Sequence, residues 1–369
     1  MLQQLAPLLI IPQLCSALPP LWKEHPTLKS KQQVLQRVLE LKNDERPECW
    51  SDINPRFLLF TKGPEELSSL THVAVLLHGF RSGTEWAEEM AEVVVQEDRG
   101  RKRMGAVVVD WREGSGCASF PWGWQTCYTL AVANTRCVAE ATSLLLQQEE
   151  LPLPSVHCIG HSLGAHACGF LANHLKATQG AVVERISGLD PAGIDWTTRL
   201  VPNTLLEVEP METPLLEEDR LDASDAALVD IYHTDGDFAG TMLPMGHVDF
   251  YVGRSMNQLG ASQQGCGCDN NCDHSSADRM FLESMRKPLT VSKMLRCQCT
   301  TSSTLGNCTA TRQRELAGYF YRKEDGLRGA VGVLMESDAV EDSCMGVKET
   351  KNAFDVWTPD ESWHTGWED

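Results

Sequence analysis

Short, fully apolar runs recur through the first half of the chain, and segments with apolar side chains at helical spacing separate them. Such runs are typical of parallel strands that are buried on both faces of a sheet. The predicted strands occupy residues 73–77, 106–109, 156–159 and 186–189, and the predicted helices occupy residues 86–96 and 130–147. This alternation predicts an α/β fold with a mostly parallel central sheet and helices on both faces.

Three further segments are predicted to form secondary structure. Residues 56–61 and 229–232 are rich in apolar and aromatic side chains and are predicted as strands. Residues 28–41 carry leucine and valine at helical spacing among lysine, glutamine and glutamate, which predicts a surface helix that precedes the core domain.

Polar residues follow several of the predicted strands directly. His78 comes after the first buried strand, Asp110 after the second and Asp190 after the fourth. Open α/β sheets bind their ligands outside the carboxyl ends of the strands. A functional site is therefore expected at that edge of the sheet.

The third buried strand leads into Gly160-His161-Ser162-Leu163-Gly164, and a helical pattern rich in small residues follows. This is the strand–turn–helix setting of a G-x-S-x-G nucleophile elbow, in which the serine is held on a sharp turn. The two glycines remove side chains that would collide across such a turn. An ordinary glycine-rich loop is the alternative, but the flanking strand and helix favour Ser162 as a nucleophile.

A serine hydroxyl needs a general base, and the base needs an orienting carboxylate. In α/β-hydrolases the chain order is Ser, then Asp or Glu, then His. Asp190 follows the next buried strand and is the natural carboxylate, although an aspartate before Pro191 could also be a cap. The residues alone leave His233, His247 and His274 comparable as the base.

The charge balance excludes one class of partner. The chain has 369 residues and a formal net charge of −19. Nucleic-acid binding needs a basic surface, so nucleic acid is not expected as a partner. The same charge argues against electrostatic capture by anionic membranes, so lipid contact would be apolar and local.

The N-terminus indicates secretion. Residues 5–14 form an apolar run of signal-peptide length, and Ser16-Ala17 offers small residues for cleavage, although a basic n-region is missing. A buried N-terminal segment is the alternative. No later run is long enough to span a bilayer, so no transmembrane anchor is expected.

The 14 cysteines also favour an oxidising compartment. Several are close in sequence, as disulfide partners in small loops are. Cys158 and Cys168 flank the elbow in apolar surroundings and are predicted to be buried free thiols. Zinc is a weaker alternative for the late cysteines, because their spacing is not C-x-x-C. The clustered cysteines are Cys117 and Cys127, then Cys266, Cys268 and Cys272, then Cys297, Cys299 and Cys308.

Taken together, these motifs occur in the order found in one protein family. The chain resembles the animal pancreatic lipase family, which includes secreted phospholipases A1, over about residues 48 to 345. The motifs that carry the resemblance are Leu77-His78-Gly79-Phe80, Val109-Asp110-Trp111, Gly160-His161-Ser162-Leu163-Gly164, Gly188-Leu189-Asp190-Pro191-Ala192, His233-Thr234-Asp235-Gly236, Gly246-His247-Val248-Asp249-Phe250-Tyr251 and Cys272-Asp273-His274.

The resemblance implies an α/β-hydrolase fold and assigns the catalytic residues. It makes Ser162 the nucleophile, Asp190 the carboxylate and His274 the base. It implies that the backbone N–H groups of Phe80 and Leu163 form the oxyanion hole, and that His161 and Phe80 line the acyl site.

The resemblance also implies a structural calcium site in some members of the family. The matching positions here are Glu217, Asp222 and Asp225, with Arg220 contributing its carbonyl. Hard oxygen ligands suit calcium. Extra proline- and glutamate-rich residues near Val201 to Pro214 are predicted to form a surface loop beside it. We expect no cofactor to be needed for the chemistry, and a solvated acidic loop is the alternative to a calcium site.

The function implied is that of a secreted serine esterase, with lipid at a membrane or lipoprotein interface as its substrate. A disulfide from Cys266 or Cys268 to Cys272 would leave a short lid, and short-lid members resemble phospholipases A1. The alternatives are a triacylglycerol or neutral glyceride lipase and a catalytically silent, yolk-like lipid-binding protein.

The expected organisation has four parts. Residues 1–17 are predicted as a signal peptide, residues 18–47 as an N-terminal helical segment, residues 48–345 as the lipase domain and residues 346–369 as an acidic tail.

Overall fold

A long β-sheet with helices on both sides carries every part of the site. The computed structural model describes residues 34–63, 69–96, 103–116, 124–193, 198–200, 208–210, 219–236, 238–253, 259–261, 263, 266, 269–286, 293–299, 305–310, 317–319, 321 and 329–334.

The described strands and helices follow one another in the order of the predicted α/β pattern. The strands are β1 (Leu35–Leu39), β2 (Arg56–Thr61), β3 (His72–Leu77), β4 (Met104–Asp110), β5 (Val156–His161), β6 (Val183–Leu189), β7 (Thr198–Leu200), β8 (Val208–Pro210), β9 (Ala226–His233), β10 (Val248–Gly253), β11 (Lys293–Cys299), β12 (Leu305–Ala310) and β13 (Gly329–Leu334). The helices are α1 (Trp50–Ile53), α2 (Glu85–Gln96), α3 (Arg112–Ser115), α4 (Trp124–Gln148), α5 (Leu163–Gln179), α6 (Asn270–His274) and α7 (Ser276–Arg286).

The main sheet is parallel in its centre and antiparallel at its edges. Its strand order is β1-β2-β4-β3-β5-β6-β9-β10-β13-β11-β12. Every neighbouring pair from β4 to β13 in that order is parallel, whereas the β1–β2, β2–β4, β13–β11 and β11–β12 pairs are antiparallel. The predicted fold, an α/β-hydrolase architecture with a mostly parallel sheet, is therefore confirmed.

Side chains of each central strand alternate between two hydrophobic cores. In β3, Val73, Val75 and Leu77 pack in the core that contains α4 and α5, whereas Ala74 and Leu76 pack in the core that contains α2 and α7. Alternation follows from the two-residue period of a strand. Burial of each such valine or leucine stabilises the fold by about 1.5–3 kcal/mol, so unbroken apolar runs hold the sheet in the middle of the molecule.

The predicted N-terminal helix is wrong where the structure describes it. Residues 35–39 form β1, which pairs antiparallel with β2 from Leu35 opposite Thr61 to Leu39 opposite Phe57. Leu39 is buried, whereas Val38 is 50% exposed. Backbone hydrogen bonds to the open edge of β2 therefore decide the conformation of a segment whose side-chain pattern also fits a helix. Residues 28–33 lie outside the described residues.

The predicted surface loop near residues 201–214 contains regular structure. β7 and β8 pair antiparallel, with Thr198 opposite Pro210. Residues 201–207 and 211–214 lie outside the described residues, as do the predicted signal peptide and the acidic tail. Within the described ranges, no helix has the length and hydropathy needed to cross a bilayer.

Disulfides connect three pairs of described cysteines. Cys49–Cys137 links the start of α1 to α4, and Cys266–Cys272 closes the short loop that the sequence predicted. The prediction that Cys158 and Cys168 are free thiols is wrong, because they form a disulfide. The chain reverses at the elbow, which brings β5 and α5 side by side with the two Cα atoms 5.7 Å apart.

Candidate active site

Ser162 occupies a strained turn between β5 and α5. Its backbone has φ 57° and ψ −120°, a left-handed conformation that is unfavourable for a residue with a Cβ atom. A methyl group added at Gly160 would lie 2.2 Å from the Gly164 carbonyl oxygen, and one at Gly164 would lie 2.0 Å from the Leu77 carbonyl oxygen. The turn can form only because both positions are glycine, as the G-x-S-x-G pattern predicted.

Asp190 follows β6 directly and is completely buried. Its backbone N–H donates to the Tyr232 carbonyl at 2.7 Å, which fixes the residue against the start of the β9–β10 connection. Its Oδ1 accepts hydrogen bonds from the backbone N–H groups of Thr234 at 2.7 Å and Asp235 at 3.1 Å. These donors orient the carboxylate and leave Oδ2 to receive a third group.

That third group is the His274 imidazole. Its Nδ1–H donates to Asp190 Oδ2 at 2.6 Å, and its side chain is 14% exposed. His274 is the last residue of α6, whose first turn is capped by the Asp269 carboxylate. The Cys266–Cys272 disulfide closes the loop that leads into this helix. Because Nδ1 carries the proton, Nε2 is left with a lone pair that can accept one.

His274 and Ser162 line the same cavity, which has a volume of about 200 Å³. The described residues that line it come from the loop after β3, the elbow and the α6–α7 junction. They are Gly79, Phe80, Arg81, Ser82, His161, Ser162, Asn271, His274 and Ser275. The three residues to which the resemblance assigns catalysis are therefore brought together, with two of them open to one cavity.

The other two histidines that the sequence left open lie elsewhere. His233 is fully buried, and its two ring nitrogens contact the Thr241 carbonyl at 2.6 Å and the Asp249 carboxylate at 3.0 Å. His247 Nδ1 accepts from the backbone N–H of Val229 at 3.0 Å. Neither histidine lines the cavity beside Ser162. Both hold the β9–β10 region together, which leaves His274 as the base that the geometry supports.

His161 packs against His274 and supports it. Its Nε2–H donates to the His274 carbonyl at 3.0 Å, and the two ring centroids are 4.6 Å apart. Burial, and to a smaller extent the charge that His274 can carry, lowers the pKa of His161 to about 3. His161 is therefore neutral near pH 7 and does not compete for the catalytic proton. The sequence placed it beside the acyl site but gave no signal for this contact.

The two residues to which the resemblance assigns the oxyanion hole, Phe80 and Leu163, lie in segments next to Ser162. A methyl group added at Gly79 would lie 2.6 Å from Ser162 Cβ, so the backbone that leads into Phe80 lies against the nucleophile. Leu163 is the first residue of α5, where helical N–H groups have no partner within the helix and the helix dipole is positive. Phe80 thus follows a glycine that contacts Ser162, and Leu163 follows Ser162 directly, while their role as oxyanion donors stays a prediction.

The strand end that carries Phe80 is held rigidly. The Trp111 indole N–H donates to the His78 carbonyl at 2.9 Å, and the Trp111 backbone N–H donates to His78 Nε2 at 3.1 Å. Burial lowers the pKa of His78 to about 4, so this histidine stays neutral and acts as an acceptor. Phe80 packs edge-on against Tyr128. The predicted oxyanion loop is therefore fixed before any substrate binds.

The structure describes three of the four residues that were predicted to bind calcium. Glu217 lies outside the described residues, whereas Arg220, Asp222 and Asp225 are buried. Asp225 accepts from Asn173 Nδ2 at 2.7 Å and from the backbone N–H of Asp222 at 3.0 Å. Burial, and to a smaller extent the Asp222 charge, raises the pKa of Asp225 to about 6. Both Asp225 oxygens thus already accept hydrogen bonds from within the chain, and a calcium site at these positions remains a prediction.

Comparison with known proteins places these residues in a family context. A family model described as Lipase matches residues 23–333. Phospholipase A1 2 of Polistes dominula is 32% identical over 227 residues, which are 60% of this chain and 63% of that protein. Lipase member H of Danio rerio is 32% identical over 239 residues, which are 61% of this chain and 44% of that protein.

A third relative has a similar sequence identity to this chain. Lipase member H of Mus musculus is 31% identical over 219 residues, which are 57% of this chain and 42% of that protein. The matches thus span between 42% and 63% of the length of these three curated relatives.

Proposed function

We propose, from the premise that this chain belongs to the lipase family, that it is a serine esterase that hydrolyses carboxylic ester bonds of lipids. The main reaction that we propose is of the phospholipase A1 type, which releases the fatty acid at the sn-1 position. The observation that carries the proposal is the 2.6 Å hydrogen bond from His274 to Asp190, at a cavity that also contains Ser162.

In the first half of the reaction, His274 Nε2 accepts the Ser162 hydroxyl proton while Ser162 Oγ attacks the ester carbonyl carbon. Asp190 holds the imidazole in the correct tautomer and stabilises the imidazolium that forms. The imidazolium then donates its proton to the leaving alcohol, and the C–O bond of the ester breaks. An acyl-serine and a free alcohol, such as a lysophospholipid, result.

In the second half, water takes the place of the alcohol. His274 accepts a proton from the water, whose oxygen attacks the acyl-serine carbonyl. The Phe80 and Leu163 N–H groups donate to the oxyanion in both tetrahedral intermediates. One such donor contributes roughly 3 kcal/mol to stabilisation of the transition state. Collapse of the second intermediate releases the fatty acid and returns the proton to Ser162.

The preference for phospholipid is supported by two short loops among the described residues near the site. The Cys266–Cys272 disulfide spans a sequence separation of only 6 residues. The loop that follows β9 is folded back on itself, with the Ala239 and Gly240 backbone N–H groups donating to Asp235. Apolar contact is worth roughly 25 cal/mol per Å², so a small cover binds a bulky three-chain glyceride weakly. A phospholipid can keep its headgroup in water.

The name of one relative supports the same choice, since the Polistes dominula protein is called phospholipase A1, whereas the name lipase member H supports only a lipase. Hydrolysis of neutral glycerides is the alternative within the same mechanism. The disulfides support secretion into an oxidising compartment. We propose that any calcium ion would be held by Asp222 and Asp225, together with Glu217 and the Arg220 carbonyl, and would stabilise that loop without entering the chemistry.

The proposal is tested with purified protein in two steps. A fluorophosphonate probe should label the wild type but not Ser162→Ala, since it reacts with an activated serine. A panel of phosphatidylcholine, phosphatidic acid and triolein should then show release of the sn-1 fatty acid from phospholipid. Absence of labelling would favour a catalytically silent lipid-binding protein. Faster hydrolysis of triolein, without sn-1 release, would favour a neutral lipase.

A further inference from the structure

The cavity beside Ser162 has a polar rim that the proposed mechanism does not use. Besides the catalytic residues, His161 and the oxyanion loop, its described lining consists of Arg81, Ser82, Asn271 and Ser275. These residues come from two separate segments, because Arg81 and Ser82 follow β3, whereas Asn271 lies in α6 and Ser275 directly after it. Phe80 is the one apolar side chain among the described lining residues. Such a rim suits the polar part of a lipid better than its acyl chain.

Arg81 is the cationic member of this rim. It follows the proposed oxyanion donor Phe80 directly, and its side chain is exposed. Its backbone has φ 51°, a conformation that costs free energy for any residue except glycine. The Arg81 N–H donates to the Ser115 carbonyl at 2.9 Å, and the aliphatic stem runs past Gly116. The residue is therefore held at the cavity by its backbone.

Nothing in the described part of the chain neutralises the Arg81 guanidinium. The nearby Arg112 makes a two-bond fork with Asp110, at 2.8 Å for each bond, whereas no described carboxylate forms an ion pair with Arg81. An arginine fork matches the geometry of phosphate oxygens as well as that of a carboxylate. Arg81 thus contributes an anion donor without a described ion-pair partner to the lining of the cavity that contains Ser162.

A glycerophospholipid has the complementary arrangement. Its phosphate is attached to the same short glycerol unit as the sn-1 ester, so the phosphate must lie near the rim when the ester carbonyl is at Ser162. The net charge of −19 makes the protein as a whole repel anions. A single cation at the rim therefore has to act at short range, on a substrate that is already bound.

We infer that Arg81 is a specificity-determining residue that binds the phosphate of the phospholipid headgroup, with Asn271 and Ser275, which line the same cavity, completing a headgroup subsite. This inference rests on the proposed function and narrows its substrate class to lipids with a phosphate on the glycerol. A terminal phosphate, which carries more charge than a phosphodiester, is bound best.

The test compares three substrates that share the same glycerol and acyl chains. Dihexanoylphosphatidic acid, dihexanoylphosphatidylcholine and dihexanoylglycerol are presented as monomers, so that binding to an interface does not contribute. The full-length protein is assayed as wild type, Arg81→Gln, Arg81→Lys and Arg37→Gln. Arg37 is an exposed arginine on β1 that is not among the cavity-lining residues, so it controls for the loss of one positive charge.

We expect Arg81→Gln to lower kcat/KM for the phosphatidic acid by about tenfold or more, which is the range of a charge-assisted hydrogen bond. The phosphatidylcholine should lose less, and the diacylglycerol should change by less than about twofold. Lysine should restore part of the loss because it keeps the charge without the fork. Added salt should reduce the wild-type preference for phosphatidic acid, since the site is exposed.

Two results would overturn the inference in different ways. Equal losses on the diacylglycerol and the phosphatidic acid in Arg81→Gln would show that Arg81 supports the oxyanion loop and does not bind the headgroup. No hydrolysis of any of the three lipids by the wild type would instead refute the proposed function, and the headgroup subsite with it. Labelling by the fluorophosphonate probe confirms in each variant that the active site has folded.

Discussion

Two buried aspartates, one at the end of β6 and one in the neighbouring strand β9, differ in function. Asp190, at the end of β6, binds the His274 imidazole at 2.6 Å. Asp230, in the middle of β9, binds the Arg185 guanidinium of β6 through two hydrogen bonds of 2.8 and 2.7 Å. Both carboxylates are fully buried. They differ in whether the partner can change its charge and whether it reaches a cavity.

The Arg185 guanidinium neither changes its charge nor reaches the cavity. It is buried, and it also donates to the carbonyls of Gly318 and Tyr319. Burial alone would lower the pKa of Arg185, but the facing Asp230 carboxylate more than offsets this and the pKa is raised. The pair is a permanent ionic link between the sheet and residues 317–319. Asp190 thus holds an imidazole that can exchange a proton and that lines the cavity, whereas Asp230 holds a guanidinium that keeps its charge.

The largest expected effect is on activity. Ser162→Ala, Asp190→Asn and His274→Ala should each lower kcat by about 10⁴-fold or more, because the three residues act as a unit. Circular dichroism and thermal unfolding should show an intact fold for Ser162→Ala and His274→Ala. Hydrolysis of a soluble short-chain ester is the measurement. If His274→Ala kept full activity, the base would have to be sought elsewhere.

Disruption of the Arg185–Asp230 ion pair should lower stability and leave activity nearly unchanged. Arg185→Met leaves Asp230 as a buried carboxylate without its counter-ion, which should lower the free energy of unfolding by about 3–5 kcal/mol. Activity per folded molecule should stay close to that of the wild type. Urea denaturation and active-site titration with the fluorophosphonate probe measure the two quantities separately.

A matched double variant checks the reason for this loss. Arg185→Met combined with Asp230→Asn removes both charges and should recover part of the lost stability. A double variant that is as unstable as the sum of the two single variants would show that packing, and not charge, accounts for the cost.

The Cys158–Cys168 disulfide is a structural link like the Arg185–Asp230 pair, but it joins the two segments that flank the nucleophile. Replacing both cysteines, with Cys158→Val and Cys168→Ala, should lower the free energy of unfolding by about 3 kcal/mol, as expected for a loop of this sequence separation, 10 residues. Activity at low temperature should be retained, since the glycines of the elbow fix the position of Ser162. A large fall in kcat without a change in stability would contradict this view.

The smallest effect concerns a third buried aspartate, Asp278 of α7. Burial raises the pKa of Asp278 to about 7, and the charge of Arg279 opposes this shift only in part. A carboxyl whose pKa is raised on folding favours the folded state at low pH, and that contribution is lost as the pH rises through about 7. Asp278→Asn should therefore raise the unfolding free energy by about 2–3 kcal/mol more at pH 8 than at pH 5. Thermal unfolding at both pH values measures it, and an equal change at both would refute it.

The sequence predicted those parts of the molecule that depend on local pattern. The unbroken apolar runs located the central strands, and Gly160 and Gly164 located the elbow, because only glycine fits there. Asp190 could be proposed because it directly follows a buried strand. The choice of His274 over His233 and His247 required the family resemblance, since their different surroundings exist only in the folded chain.

Other features depend on which segments meet in space, and the sequence alone did not predict them. Leu35 and Leu39 fit one face of a helix as well as a strand, and pairing with β2 decides between them. Cys158 and Cys168 were expected to be buried, and they are, but their pairing requires the chain reversal at Ser162. Arg81 lies in a loop, where no periodicity indicates which side chains border a cavity.

The way the site is assembled also bears on folding kinetics. Asp190 and His274 are 84 residues apart, and both must meet a serine from a third segment. Contacts between residues so distant in sequence form slowly, because closing long loops costs entropy before any contact is gained. Reactivity of Ser162 should therefore appear only in the last phase of refolding, after most secondary structure has formed. A fluorophosphonate probe added at intervals after dilution from denaturant would then count native molecules and ignore compact intermediates.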